Sequence, residues 1–301
     1  MKRRKKLSQL LIVGTGLIGT SAGLALRSRS QLAITGWDRS RRNAHAARRR
    51  GALDAVASRL GPAVARADIV LLAAPIDAIV AMLPRVIDAA KSGALVLDVG
   101  PLFAPVVAAA RPALAKHTAV NFVAGHPLAG RESSGPAHAD ATLFRGSTFA
   151  LFAPPQAGRA AAWRRAEVFV RLLGARPARV DPATHDRAIA ATSALPQLAA
   201  IALALAAGRS LPKGGRMLSG PGFEGATRLA RSSFSIWRRA LSGNARNAAG
   251  ALRALEKAAR TLRTALESGN IEKIGADFRA AAAARRRILA ASGRTSATRT
   301  S

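Results

Sequence analysis

The residue whose setting offers the most chemistry is His126. It lies in Ala124-Gly125-His126-Pro127-Leu128-Ala129-Gly130, directly after the largely apolar run Ala119 to Val123. That order puts an imidazole at a strand's carboxyl end, where open α/β sheets bind their ligands. With an unperturbed pKa of about 6.5, such a group is mostly neutral at working pH and can accept a proton. The other histidines (His45, His117, His138, His185) show no paired metal-ligand spacing. Cys is absent, so thiolate sites and disulfides are impossible, and no metal is expected.

The second constellation is Gly14-Thr15-Gly16-Leu17-Ile18-Gly19, which follows the short apolar run Leu10 to Val13 and opens a helix to about Ser28. In this strand–turn–helix context GxGxxG is a dinucleotide fingerprint. Gly14 permits the tight turn, Gly16 admits a pyrophosphate, and Gly19 lets helix and strand pack closely, with Leu17 and Ile18 at the helix amino end. A second strand, Leu32 to Trp37, ends in Asp38, placed to accept hydrogen bonds from an adenosine ribose. Arg39, Arg41 and Arg42 could hold a 2′-phosphate, but Asp38 would repel it. The expected cofactor is NAD, with NADP possible.

The elements that must position these groups alternate. Helix is expected at Arg41 to Arg50, strand at Ala67 to Ala73, helix at Asp77 to Ala90, strand at Ala94 to Val99 and helix at Phe103 to Leu114, before the strand that delivers His126. This pattern predicts a doubly wound parallel, Rossmann-type sheet. The turns Ala74-Pro75 and Asp98-Val99-Gly100-Pro101 should line its cofactor crevice, which adds Ala74, Pro75 and Gly100 to the cofactor residues. A polar loop covers Arg131 to Gly135, a strand Thr148 to Ala153 and a helix Gln156 to Gly174.

From Asp181-Pro182 only helices are expected: Ala188 to Ala207, kinked at Leu195-Pro196, then Phe223 to Leu241, Asn244 to Glu267 and Asn270 to Ser292. The domains are therefore a dinucleotide-binding domain, 1–178, and a helical substrate and dimerisation domain, 179–292, with a disordered tail, 293–301. The helical stripes exceed what one small bundle buries, so a homodimer through this domain is expected.

The start, Met1 to Lys6 followed by Leu10 to Leu26, imitates a secretory signal, but its glycines fit a strand, a turn and a helix better. No other stretch has the uninterrupted apolar length of a membrane span, so no membrane partner is expected. The net charge of +31 in 301 residues would recruit polyanions. Arginines are nevertheless spread over almost every helix, and aromatics make up only 4% of the chain. That is too few for base-stacking platforms, so nucleic acid is not the expected partner. A small anionic substrate and a cytoplasmic location fit better.

The run Gly125-His126-Pro127-Leu128-Ala129-Gly130-Arg131-Glu132-Ser133-Ser134-Gly135 resembles the signature of the prephenate/arogenate dehydrogenase family. So do Gly14 to Gly19, His185-Asp186 before a long helix, Thr227-Arg228-Leu229-Ala230 and Trp237; together they extend from Leu10 to about Ala284. The resemblance implies NAD(P)-dependent oxidative decarboxylation of a cyclohexadienol acid in tyrosine biosynthesis. It makes His126 the catalytic group that takes the ring hydroxyl's proton. It also makes Arg228 the clamp on a substrate carboxylate and Glu132 an acid at the pocket entrance, with Ser193 and Gln197 on the substrate side. The chain departs from the family pattern at Ala194 and Gln197, where two histidines are common, and at Pro101, Phe103 and Gly225. Pro101 cannot orient His126 by a hydroxyl, so a backbone group or water is expected to do so. These departures leave two alternatives open: the same chemistry on a modified prephenate-like substrate, or a noncatalytic nucleotide-binding protein.

Overall fold

The computed structural model describes residues 9–130, 133–155 and 158–291, and of residues 235 and 236 the backbone alone. The chain divides into two compact units, Met1–Asp186 and Arg187–Ser301.

In the first unit short apolar runs alternate with helices: β1 Gln9–Val13, α1 Leu17–Arg27, β2 Ala33–Trp37, α2 Arg41–Arg49, β3 Ala55–Val56, α3 Leu60–Arg66, β4 Ile69–Leu72, α4 Ile76–Ala89, β5 Leu95–Asp98, α5 Ala104–Lys116, β6 Asn121–Pro127, β7 Thr148–Phe152, α6 Arg159–Leu172 and β8 Arg176–Arg179. The strands form one sheet in the order β3-β2-β1-β4-β5-β6-β7-β8. β4 and β5 are buried at every position, as a sheet covered on both faces requires. On one face Leu10, Ile12, Leu95 and Leu97 pack with Leu26, Trp163 and Phe169; on the other, Leu11, Val13, Val70 and Val96 pack with Leu83, Val86 and Val106. Strand order reverses between β1 and β4, so the switch-point crevice lies at their carboxyl ends.

The sheet is the doubly wound, mostly parallel one expected, with β6 and β7 as its antiparallel pair. As expected, the sixth strand delivers His126 at its carboxyl end, and it runs on through that residue. Its first half pairs with β5, and Ala124 to Pro127 continue the strand against Phe152 to Phe149. Gly125 and Pro127 suggest a turn locally, but β7 supplies the ladder partners that hold them extended. β3, α3 and β8 escaped the sequence because they are two residues long, carry Gly61 and Pro62, or read Arg-Pro-Ala-Arg on a sheet edge where proline is tolerated.

The second unit is helical among the described residues. α7, Pro182–Ile189, starts under an Asx cap, with Thr184 N donating to Asp181 Oδ1 at 3.0 Å, and its last residues open the second unit. It passes through a π turn, Ala190–Ala194, into α8, Leu195–Ser210; the disturbed ladder falls where Pro196 offers no N–H to the preceding turn. α9 Pro221–Thr227, a 3₁₀ turn Arg228–Arg231 and α10 Phe234–Gly243 replace the single helix expected over 223–241. α11 Ala245–Glu267 and α12 Ile271–Ala291 complete the unit.

The stretch Pro182–Ser210 is long and apolar enough to cross a membrane by length and composition, with mean hydropathy 1.8 over its best window. This corrects the expectation that no segment qualifies: polar Thr192, Ser193 and Gln197 interrupt the run, but no charge lies between Arg187 and Arg209. Much apolar surface in this unit is exposed, including Met217 at 85%, Leu218 at 83% and Phe278 at 72%. The 293–301 tail lies outside the described residues.

Candidate active site

The crevice at the carboxyl ends of β1 and β4 is built by close backbone approach. Gly14 has φ 93°, and a Cβ there would overlap the Ala73 carbonyl and lie 2.9 Å from Ala74 N, so only glycine fits where the two turns touch. This brings Gly14 together with Ala74 and with Pro75, which leads into α4. A Cβ on Gly19 would in turn strike the Gly14 carbonyl. Gly16 precedes α1 without a side-chain cap, and a Cβ on it would meet nothing within 4 Å. The first backbone N–H groups of α1, at Leu17, Ile18 and Gly19, therefore form an open cradle of the kind that fits a pyrophosphate.

Asp38 has a second task that its spacing did not reveal. Its Oδ2 accepts from Thr15 N at 2.7 Å and Thr15 Oγ1 at 3.0 Å, and its Oδ1 accepts from Ser40 N at 2.8 Å. The carboxylate thus ties the glycine loop to the end of β2 while Oδ1 keeps capacity for a further donor. Arg39 beside it is exposed.

His126 stands further along the same sheet edge, and its orientation corrects the expectation of a backbone or water partner. His126 Nδ1 lies 3.0 Å from His185 Nε2, and His185 Nδ1 lies 2.8 Å from Asp186 Oδ1. Asp186 Oδ1 also accepts from Phe103 N at 2.8 Å, and its Oδ2 from Ala104 N at 2.9 Å, at the amino end of α5. The Phe103 ring stacks on His185 with centroids 3.8 Å apart and planes 9° apart, so it helps to hold the imidazole in place.

The tautomers follow from this chain. A carboxylate taking three N–H bonds can only accept, so His185 carries a proton on Nδ1 and, in its neutral form, presents a lone pair at Nε2. His126 must then donate from Nδ1, which leaves its Nε2 unprotonated and able to accept. Burial, reinforced by the neighbouring His185 and opposed by Asp186, lowers the His126 pKa to about 3, so the ring is neutral at working pH.

His185 and Asp186 are the functional residues that residue-by-residue reasoning missed. The signal was present in the His-Asp pair before the long helix, but nothing in the sequence joins it to a residue 59 positions earlier. Gly100, also expected at the cofactor, donates its N–H to Asp98 Oδ2 at 2.8 Å.

The expected substrate residues Ser193, Gln197 and Arg228 belong to the second unit. Ser193 and Arg228 are exposed, on the π turn and the 3₁₀ turn. Gln197 is 2% exposed and donates from Nε2 to Leu229 O at 2.9 Å, which fixes its amide beside the residue after Arg228. Glu132 lies outside the described residues.

Comparison with known proteins finds relatives along most of the chain. The family model described as "Prephenate dehydrogenase, nucleotide-binding domain" matches residues 22–178, and "Prephenate dehydrogenase, dimerization domain" matches residues 181–280. A prephenate dehydrogenase of Bacillus subtilis is 32% identical over 243 residues, covering 78% of this chain and 64% of the relative. One from Lactococcus lactis is 29% identical over 243 residues, covering 79% and 65%. The chain thus spans just under two thirds of the length of these relatives. The crystal structure of Aquifex aeolicus prephenate dehydrogenase with hydroxyphenyl propionate and NAD+ has a TM-score of 0.85 at 24% identity, covering 95% of this chain and 100% of that one. Synechocystis arogenate dehydrogenase gives 0.81 at 24% identity, covering 93% and 99%, so the fold is shared with both. A dinucleotide cradle, an oriented histidine and two domain matches along the chain have one common explanation: the chain belongs to the prephenate dehydrogenase family.

Proposed function

We propose that the protein is an NAD-dependent dehydrogenase that oxidatively decarboxylates prephenate or arogenate in tyrosine biosynthesis. The observation that carries this reading is the Asp186–His185–His126 chain, which leaves an unprotonated Nε2 on His126 at the sheet edge that also holds the glycine-loop cradle. The bound nicotinamide supplies the hydride acceptor. His126 Nε2 takes the proton of the ring hydroxyl as hydride leaves the carbon that bears it. The dienone carboxylate so formed loses carbon dioxide, its electrons flow to the oxygen, and His126 returns the proton as the ring aromatises. A buried imidazole that gains a proton becomes a buried cation, which is costly unless paired. His185 accepts from its Nδ1–H, and Asp186 supplies the compensating negative charge, so the cost is met only while the proton is held.

Asp38 favours NAD over NADP, because a 2′-phosphate would meet a carboxylate already fixed by Thr15 and Ser40. Arg228 is the proposed clamp on a substrate carboxylate, a task suited to a permanently charged planar fork, and Gln197, Ser193 and Glu132 are the further proposed substrate-binding residues. The protein acts as a cytoplasmic homodimer. The exposed Met217, Leu218 and Phe278, together with the description of the matching family domain, support dimerisation through the helical unit.

The test is direct. Purified protein given NAD and either substrate should reduce the nucleotide and release carbon dioxide. No turnover with prephenate or arogenate on either nucleotide would sink the reading, and sedimentation at the monomer mass would remove the dimer.

A further inference from the structure

Asp98 ends β5 with its side chain fully buried, on the sheet face covered by α4 and α5. The reaction sketched above gives it no task. Its Oδ2 accepts from Gly100 N at 2.8 Å, in the turn that leads to α5, and its Oδ1 accepts from Gly125 N at 3.2 Å, on β6 directly before His126. One carboxylate therefore joins the turn lining the cofactor crevice to the strand that carries the base. The junction is also sterically tight. A Cβ on Gly125 would lie 2.6 Å from the Asp98 carbonyl oxygen and 2.8 Å from Phe149 Cε1, so β6 has no slack here to take another position.

We infer that Asp98 is a positioning residue for His126: its carboxylate clasps the N–H groups of Gly100 and Gly125 and so fixes the strand from which the imidazole projects. This rests on the dehydrogenase reading above. A carboxylate accepts both N–H bonds, whereas a protonated carboxyl turns an O–H toward one of two donors and loses that bond. Protonation of Asp98 loosens the clasp.

The surroundings place that protonation in the working range. Burial raises the Asp98 pKa to about 7 against the pull of the Gly100 and Gly125 N–H groups. The titratable groups on the elements packed against it are Asp77, Arg85 and Asp88 of α4, Arg111 and Lys116 of α5, and His126 of β6, with none on β4 or β7. Among the described residues none of these pairs with Asp98. His126 stays neutral down to about pH 3, so it cannot produce a loss of activity near neutrality. The acid limb that loosening of the clasp produces therefore lies near neutrality.

The experiment is the pH dependence of kcat in the wild-type protein and in Asp98→Asn, with the Asp98 carboxyl followed by carbon NMR in the wild type. A group titrating at about 7 is roughly tenfold more ionised at pH 8 than at pH 6, so wild-type kcat should fall about tenfold over that interval. Asp98→Asn, with one acceptor for two donors, should sit on the low plateau with no acid limb. The NMR midpoint of Asp98 should coincide with the kinetic one, and this measurement needs no variant to fold. An active wild type without a limb between pH 6 and 8, an Asp98 midpoint below 5, or an Asp98→Asn enzyme with the wild-type profile would overturn the inference. A wild type inactive on every substrate and nucleotide would instead overturn the dehydrogenase reading, and the NMR titration would still report on the clasp.

Discussion

Replacing Asp186 by Asn tests the tautomer chain with little change of shape. Asp186 accepts three N–H bonds, from Phe103, Ala104 and His185, at 2.8, 2.9 and 2.8 Å. An amide offers one oxygen and one NH₂ group, so it cannot satisfy all three. If the oxygen stays with Phe103 N and His185 Nδ1, the NH₂ faces the N–H of Ala104. If the amide turns over, it donates to His185 Nδ1, which forces His185 to protonate at Nε2 and donate to His126. The base then carries its proton on Nε2 and has nothing to accept with. Either arrangement loses at least one hydrogen bond to a charged group, worth about 1.5–3 kcal/mol. Converted to rate, that is a fall in kcat of roughly 10- to 150-fold. The KM for NAD should change little, because the glycine loop and Asp38 are untouched. Steady-state kinetics with NAD and the better of the two substrates, alongside circular dichroism to confirm folding, makes the measurement. A folded Asp186→Asn enzyme with kcat within about threefold of wild type would show that the chain does not set the His126 tautomer.

Thr15→Val keeps the buried shape but removes the hydroxyl that donates to Asp38 Oδ2, and should raise the KM for NAD by about five- to tenfold, as loss of one such hydrogen bond predicts, with kcat near wild type; an unchanged KM would remove the loop-tying role of Asp38. Stability should carry two opposed pH slopes. The lowered His126 pKa, about 3 against 6.5, means the unfolded chain takes a proton that the folded one refuses, so stability is lost as pH falls below 6.5. The raised Asp98 pKa, about 7 against 3.8, means the folded form takes its proton first, so that contribution is gained as pH falls through 7. Between pH 7.5 and 5 the two nearly cancel in the wild type. By the linkage of about 1.4 kcal/mol per pKa unit, Asp98→Asn should lose about 2 kcal/mol over that interval and His126→Asn should gain about as much. Urea titrations at both pH values check the signs, and slopes of the same sign in the two variants would contradict the assignment.

The sequence by itself determined the parts of this protein that depend on near neighbours along the chain. Gly14, Gly16 and Gly19 between an apolar run and a helix specify a turn that only glycine can make, and alternating apolar runs and helices specify the sheet. His126 at a strand end, and the family resemblance around it, were equally legible. What only the tertiary structure decided depends on distant partners. His185 and Asp186 are legible as part of the family signature, but their task is not, until folding brings them to His126, 59 residues away, and to the amino end of α5. Asp98 reads as a strand terminus until Gly125 arrives beside it. The strand character of Ala124 to Pro127 was hidden for the same reason, since its antiparallel partner lies beyond a long loop. The break of 223–241 into two helices and a 3₁₀ turn was hidden too, because its apolar periodicity is helical throughout and α8 packs against the turn that interrupts it. Local sequence carries propensity and pattern, whereas hydrogen-bond partners and protonation states belong to contacts that exist only once the chain has closed on itself.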